Sequence, residues 1–203
     1  MTKFFEYYNS IKLIEFPEFR QTYHYDCGAN ALLSILAYYN IDLFEEDIMK
    51  MAGTDEESGT PIRGLKKVLD KYKIDHREGT FTVEDLKNNI DDGNPTLIML
   101  QAWPYKEKSD WKNEWDQGHY VIAIGYDYKK IYFEDPISIK RSYLTFEDLQ
   151  DRWHGWDDDD NKIYNWGIVI TKNTNYRHNE TMKMESKNIN IGEKYLLGET
   201  NAF

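Results

Sequence analysis

One cysteine occurs in the 203 residues, and its neighbours suit a nucleophile. Cys27 lies in RQTYHYDCGANALLSILAYYN, Arg20 to Asn40, where a helix is expected to begin. Asp26 is of a type that caps helices, and Gly28 falls in the first turn. Leu32, Leu33, Leu36 and Tyr39 recur at the spacing of one buried helical face. The free N–H groups and positive dipole end of a helix start favour a thiolate over a thiol. A lone cysteine is more often an inert small hydrophobe, so the case for chemistry rests on partners.

Thiolate attack on a carbonyl needs a nucleophile, a base, a group that orients the base, and donors for the oxyanion. His119 is the candidate base, at the start of GHYVIAIGYD beside Gly118. Asp135, in IYFEDP, is the candidate orienting carboxylate. A turn near Tyr128-Lys129 would bring the two to one end of a hairpin, but the sequence does not fix their register. Gln21, six residues before Cys27, is placed to offer a side-chain N–H to an oxyanion, with the Cys27 backbone N–H as second donor. Among His24, His76, His154 and His178 the main rival is His24, which would have to fold back from before the helix.

The elements that must carry these groups fall into two halves. Helices are expected after Arg20, over LFEEDIMKMA up to Gly53, over PIRGLKKVLDKY, and over VEDLKNNI capped by Thr82 and Asp85. The first ninety residues therefore read as mainly helical. Strands follow: Thr96 to Trp103, Gly118 to Asp127, Ile131 to Pro136 and Asn165 to Thr171. A polar loop spans 104–117, Thr145 and Asp148 cap a last helix, and Asp157 to Asp160 form an acidic loop read as solvated. The predicted fold class is α+β, a helical half with the nucleophile helix packed on a C-terminal antiparallel sheet. Residues 1–172 are read as one domain and 173–203 as a polar tail, partly disordered or weakly packed.

Composition narrows the partners. Net charge is −11, which disfavours nucleic acid and anionic membrane surfaces. One cysteine makes no internal disulfide and no cysteine-rich zinc site; no metal or cofactor is expected. No run reaches the ~20 apolar residues of a membrane span, and the N-terminus is a poor signal peptide, so a cytoplasmic protein is expected. Five tryptophans, Trp103, Trp111, Trp115, Trp153 and Trp156, suit either a substrate groove or packing.

The pattern Q-x5-C-G-x3-L, followed about ninety residues later by G-H-Y-V-x-x-x-G-Y and F-x-D-P, resembles the bacteriocin-processing peptidases. These are papain-like cysteine peptidases that cut leader peptides after a double glycine. The resemblance spans roughly Phe16 to Thr171. It implies a papain-like fold, Cys27 as nucleophile, His119 as base, Asp135 as its orienting acid, Gln21 as oxyanion donor, and a peptide or protein substrate. The best-known members belong to membrane transporters, so this chain would be a stand-alone member. Two alternatives share the fold: an acyl transferase using the same first step, and a non-catalytic peptide-binding module.

Overall fold

The apolar pattern of the strands dictates a sheet covered on both sides. In the computed structural model, which describes residues 11–104, 110–171, 174, 176 and 177, all six residues of TLIMLQ are buried. Successive strand side chains point to opposite faces, so such a run needs two cores. Leu97, Ile122, Ile124, Ile168 and Ile170 pack with the helices of the N-terminal half. Ile98, Leu100, Val121, Ala123, Phe133 and Val169 face the other way, onto Phe81, Leu86, Leu149 and Trp153.

The elements run β1 (Lys12–Leu13), α1 (Cys27–Tyr38), α2 (Glu45–Ala52), α3 (Ile62–Lys71), β2 (His76–Thr80), α4 (Val83–Asp91), β3 (Thr96–Gln101), β4 (Gly118–Tyr126), β5 (Lys130–Glu134), β6 (Ser142–Thr145), α5 (Phe146–Arg152), β7 (His154–Trp156), β8 (Lys162–Tyr164) and β9 (Trp166–Ile170). A 3₁₀ turn covers Trp111–Asn113. The seven-stranded antiparallel sheet has the order β2-β9-β3-β4-β5-β6, with β1 alongside β4, and β7 and β8 form a separate hairpin. Gly125 makes room for β1: a Cβ there would lie 2.7 Å from the Lys12 carbonyl oxygen.

The expected α+β class and the helix starts hold. Thr82 and Asp85 form a reciprocal capping box, Thr145 caps α5, and Gly53 closes α2 in the left-handed region. Three readings need correction. Helix α1 does not bury one face: Gly28 to Leu32, Ser34 to Leu36 and Tyr38 are buried, while Leu33 and Tyr39 are half-buried. Apolar and small residues all round make it the central helix. The first ninety residues also contain an edge strand, β2, held through Glu78 to Trp166 Nε1 and Lys66. The acidic loop is not merely solvated; it is the turn of the β7–β8 hairpin, and its Asp158 binds α3.

Beyond residue 172, Thr174 donates to the Tyr38 carbonyl at 2.6 Å and Tyr176 packs on Tyr38. Apart from Arg177, the rest of the predicted tail, with His178, and residues 105–109 of the predicted loop lie outside the described residues.

Candidate active site

Cys27 is the first residue of α1 and is partly exposed. Asp26 holds the N-cap position but does not cap the helix with its side chain. Its Oδ2 turns back to accept from the backbone N–H of Thr22 at 3.2 Å and of Tyr23 at 2.9 Å. Burial pushes this carboxyl up, and those two hydrogen bonds oppose the shift. The 21–26 segment is thereby folded into a tight turn, and the start of α1 carries no side-chain lid.

Gln21 is anchored next to the candidate acid, because its backbone N–H donates to the Pro136 carbonyl at 2.9 Å. Its side-chain Nε2 donates to the Tyr23 carbonyl at 2.6 Å, and Oε1 is buried without a partner. That carbonyl fixes which end of the amide carries the N–H groups. One N–H is engaged, so an oxyanion would have to use the other.

His119 Nε2 lies 2.8 Å from Asp135 Oδ1, and the two side chains are only 8% and 1% exposed. Cys27 is the other group that acts on the ring, its sulfur favouring the charged imidazole. With Nε2 engaged by Asp135, Nδ1 is the nitrogen left for the thiol. Burial alone would lower the histidine pKa, but Asp135 and Cys27 outweigh it and raise it from 6.5 to about 9. Asp135 shows the complementary shift: burial raises its carboxyl pKa, and the bonds from His119, Ser142 and the Ile137 N–H bring it below its ordinary value.

The pairing depends on one extra residue in β4. Near the turn, Tyr126 faces Ile131 and Gly125 faces Tyr132. Beyond a bulge between Ala123 and Gly125, Ala123 faces Phe133 and Ile122 faces Glu134. Continuing that register puts Asp135 opposite Val121, diagonal to His119 and on the same side of the sheet. Without the bulge, Asp135 would fall opposite Ile122, with its side chain on the other face.

Cys27 opens into a cleft of about 780 Å³, also lined by His24, Gly118, Tyr120, Trp115 and Trp156. His24, the rival base, is thus on the cleft, while Asp135 pairs with His119, whose charged form Cys27 also favours. Gly28 lets the α2–α3 loop close up to the Cys27 end of α1: a Cβ there would lie 2.6 Å from Thr60 Cβ and 2.9 Å from the Tyr120 ring. The tryptophans divide between the two roles. Trp153 is core, donating Nε1 to the Trp166 carbonyl; Trp111 stacks under Arg152; Trp115 and Trp156 are cleft wall. Trp103 does something else: its Nε1 donates to Asp135 Oδ2 at 3.0 Å. Sequence reasoning gave neither Trp103 nor Asp158 a place near the chemistry, and only the side chain pattern of the folded chain reveals them. Among the described residues no group of three or more His, Cys, Asp or Glu is arranged to hold a metal ion.

Cys27 at a helix start, with the His119–Asp135 pair at the end of an antiparallel sheet, is consistent with a papain-like fold. Residues 15–156 match the family model described as the Peptidase C39 family, and the chain belongs to that family. An uncharacterized protein of Methanothermobacter marburgensis is 26% identical over 130 residues, covering 62% of this chain and 78% of that one. The peptidase domain of Streptococcus ComA, a bi-functional ABC transporter involved in quorum sensing, superimposes with a TM-score of 0.57 at 18% identity, covering 76% of this chain and 97% of that one. A double glycine motif protease from an AMS/PCAT transporter, solved with its leader peptide, gives 0.54 at 17%, covering 78% and 93%. At these identities the structural likeness speaks to fold. Among the described residues no helix is long and apolar enough to cross a membrane.

Proposed function

We propose that this chain is a cysteine peptidase that hydrolyses a peptide bond through a thioacyl intermediate on Cys27. One observation carries the reading: the His119 ring is hydrogen-bonded to Asp135 at 2.8 Å, and Cys27 is the other group that favours its charged form. The likeness to a double glycine motif protease bound to its leader peptide makes a peptide cut after a double glycine the first substrate to try.

The proposed steps use only side chains and backbone of this chain. The His119 imidazolium, held charged up to about pH 9, keeps the Cys27 sulfur as thiolate. The thiolate adds to the scissile carbonyl carbon. The developing oxyanion takes hydrogen bonds from the Cys27 backbone N–H and from the second Nε2–H of Gln21. The intermediate collapses, the C–N bond breaks, and His119 gives its proton to the leaving amine. Neutral His119 then takes a proton from water as the hydroxyl attacks the thioester, releasing the acid and restoring the ion pair. Asp135 remains ionised and holds the imidazole in one orientation. A working thiol also needs reducing surroundings, which supports a cytoplasmic site of action.

The test is incubation of the full chain with a panel of peptides containing double-glycine sites, read by mass spectrometry, with Cys27→Ala as control. The reading expects one new N-terminus per cleaved peptide and none with the control. Products bearing an added amine or thiol in place of water would convert the reading to an acyl transferase. Tight peptide binding without products from either protein would make it a binding module.

A further inference from the structure

Trp103 combines three features that packing does not explain. It lies two residues past the end of β3, where the backbone is held alongside β4 by the hydrogen bond from Ala102 N–H to the Gln117 carbonyl at 3.0 Å. Its φ is +53°, a strained left-handed conformation rare for a bulky side chain. The residue is 48% exposed, so burial does not repay that strain. Trp153, which serves as core, is 1% exposed.

What the conformation achieves is the hydrogen bond to Asp135. Oδ1 of that carboxylate accepts from His119 and from the Ile137 N–H, and Oδ2 accepts from the Trp103 indole. Ser142 also bonds this carboxylate, but the terminal torsion of a carboxylate is broad and soft, and each added donor fixes it further. A fixed donor on Oδ2 closes that freedom and keeps Oδ1 in line with Nε2. Indole suits this role, because it donates only and cannot compete for the imidazole proton. We propose that Trp103 is a positioning residue: it fixes the Asp135 carboxylate, and through it the orientation of the His119 ring toward Cys27. The inference rests on the peptidase reading for its purpose, but its geometry is testable without a substrate.

The decisive variant is Trp103→Phe, which keeps a ring and removes the N–H. Two readouts apply, both on the full chain. One is the proton NMR resonance of His119 Nε2–H, shifted downfield and protected from exchange while it is held by Asp135. The other is the rate of Cys27 alkylation at pH 6, measured in the native background and in Asp135→Asn. Positioning predicts that W103F broadens the Nε2–H resonance through faster exchange. It also predicts alkylation slowed about tenfold in the native background, the scale of one hydrogen bond to a charged group, with no further slowing in D135N. An unchanged resonance, or the same slowing in both backgrounds, would overturn it. If the native thiol itself reacts like an ordinary one, the peptidase reading fails, and the resonance alone then decides the positioning claim.

Discussion

Asp158 Oδ1 accepts the backbone N–H of Ile62 at 2.7 Å, while Oδ2 of the same carboxylate accepts that of Arg63 at 2.8 Å. The residues are about a hundred positions apart in the chain, so this side chain caps α3 from outside and pins the β7–β8 hairpin across the cleft that holds Cys27. Pro61 precedes the helix and offers no side-chain cap of its own. Asp158→Ala is expected to lower stability by about 1–2 kcal/mol, the range for losing an N-cap. Denaturant unfolding of the two proteins checks this. A loss within error of zero would mean that the carboxylate does not hold the hairpin down.

Glu134 makes a pH-dependent prediction. It is 3% exposed, and burial raises its carboxyl pKa from 4.5 to about 7 against the hydrogen bond from the Phe19 N–H. A carboxyl raised in the folded state makes the native form bind more protons than the unfolded chain between these values. Stability therefore falls as pH climbs from about 4.5 to 7 and stays lower above that. Glu134→Gln removes the buried charge and keeps an acceptor for Phe19. It should match the native protein near pH 4.5 and exceed it at pH 8 by up to about 3 kcal/mol. Thermal unfolding of both proteins at the two pH values reads this directly. Equal stability at pH 8 would contradict it.

The cleft should select by charge. Among the described residues, Glu56, Glu57, Asp116 and Asp160 line it as exposed carboxylates, against one exposed cation, Arg63. A cleft lined by one sign of charge concentrates ligands of the other sign. At low salt a cationic methanethiosulfonate should therefore label Cys27 on the order of tenfold faster than an anionic one of similar size, with the ratio shrinking as salt rises. A ratio of one at low salt would show that these carboxylates do not shape the potential at the sulfur.

Much of this was readable because local chemistry and the tertiary solution agree. The Thr82–Asp85 and Thr145–Asp148 pairs mark helix starts through their own side chains, and the apolar run from Thr96 has the length of a strand, which the structure shows buried on both sides. What escaped the sequence was set by partners elsewhere in the chain. The segment HREGT alternates no apolar residues, because β2 is an edge strand fixed by Glu78. Asp26 looked like a helix cap, yet the nearby N–H groups of Thr22 and Tyr23 won its carboxylate. The bulge between Ala123 and Gly125 is marked in the sequence only by a glycine inside the strand, yet it decides which face Asp135 takes. Trp103 read as one aromatic among several until the indole was seen on Asp135.

The central claim is that Cys27 is activated by His119, and the rate of iodoacetamide alkylation against pH tests it most directly. The native protein and His119→Ala would be compared from pH 5 to 9. Activation by an imidazolium that persists to about pH 9 predicts rapid labelling well below pH 8 in the native protein, and its collapse in the variant. Slow labelling that rises alike in both proteins with ordinary thiol ionisation would contradict the account.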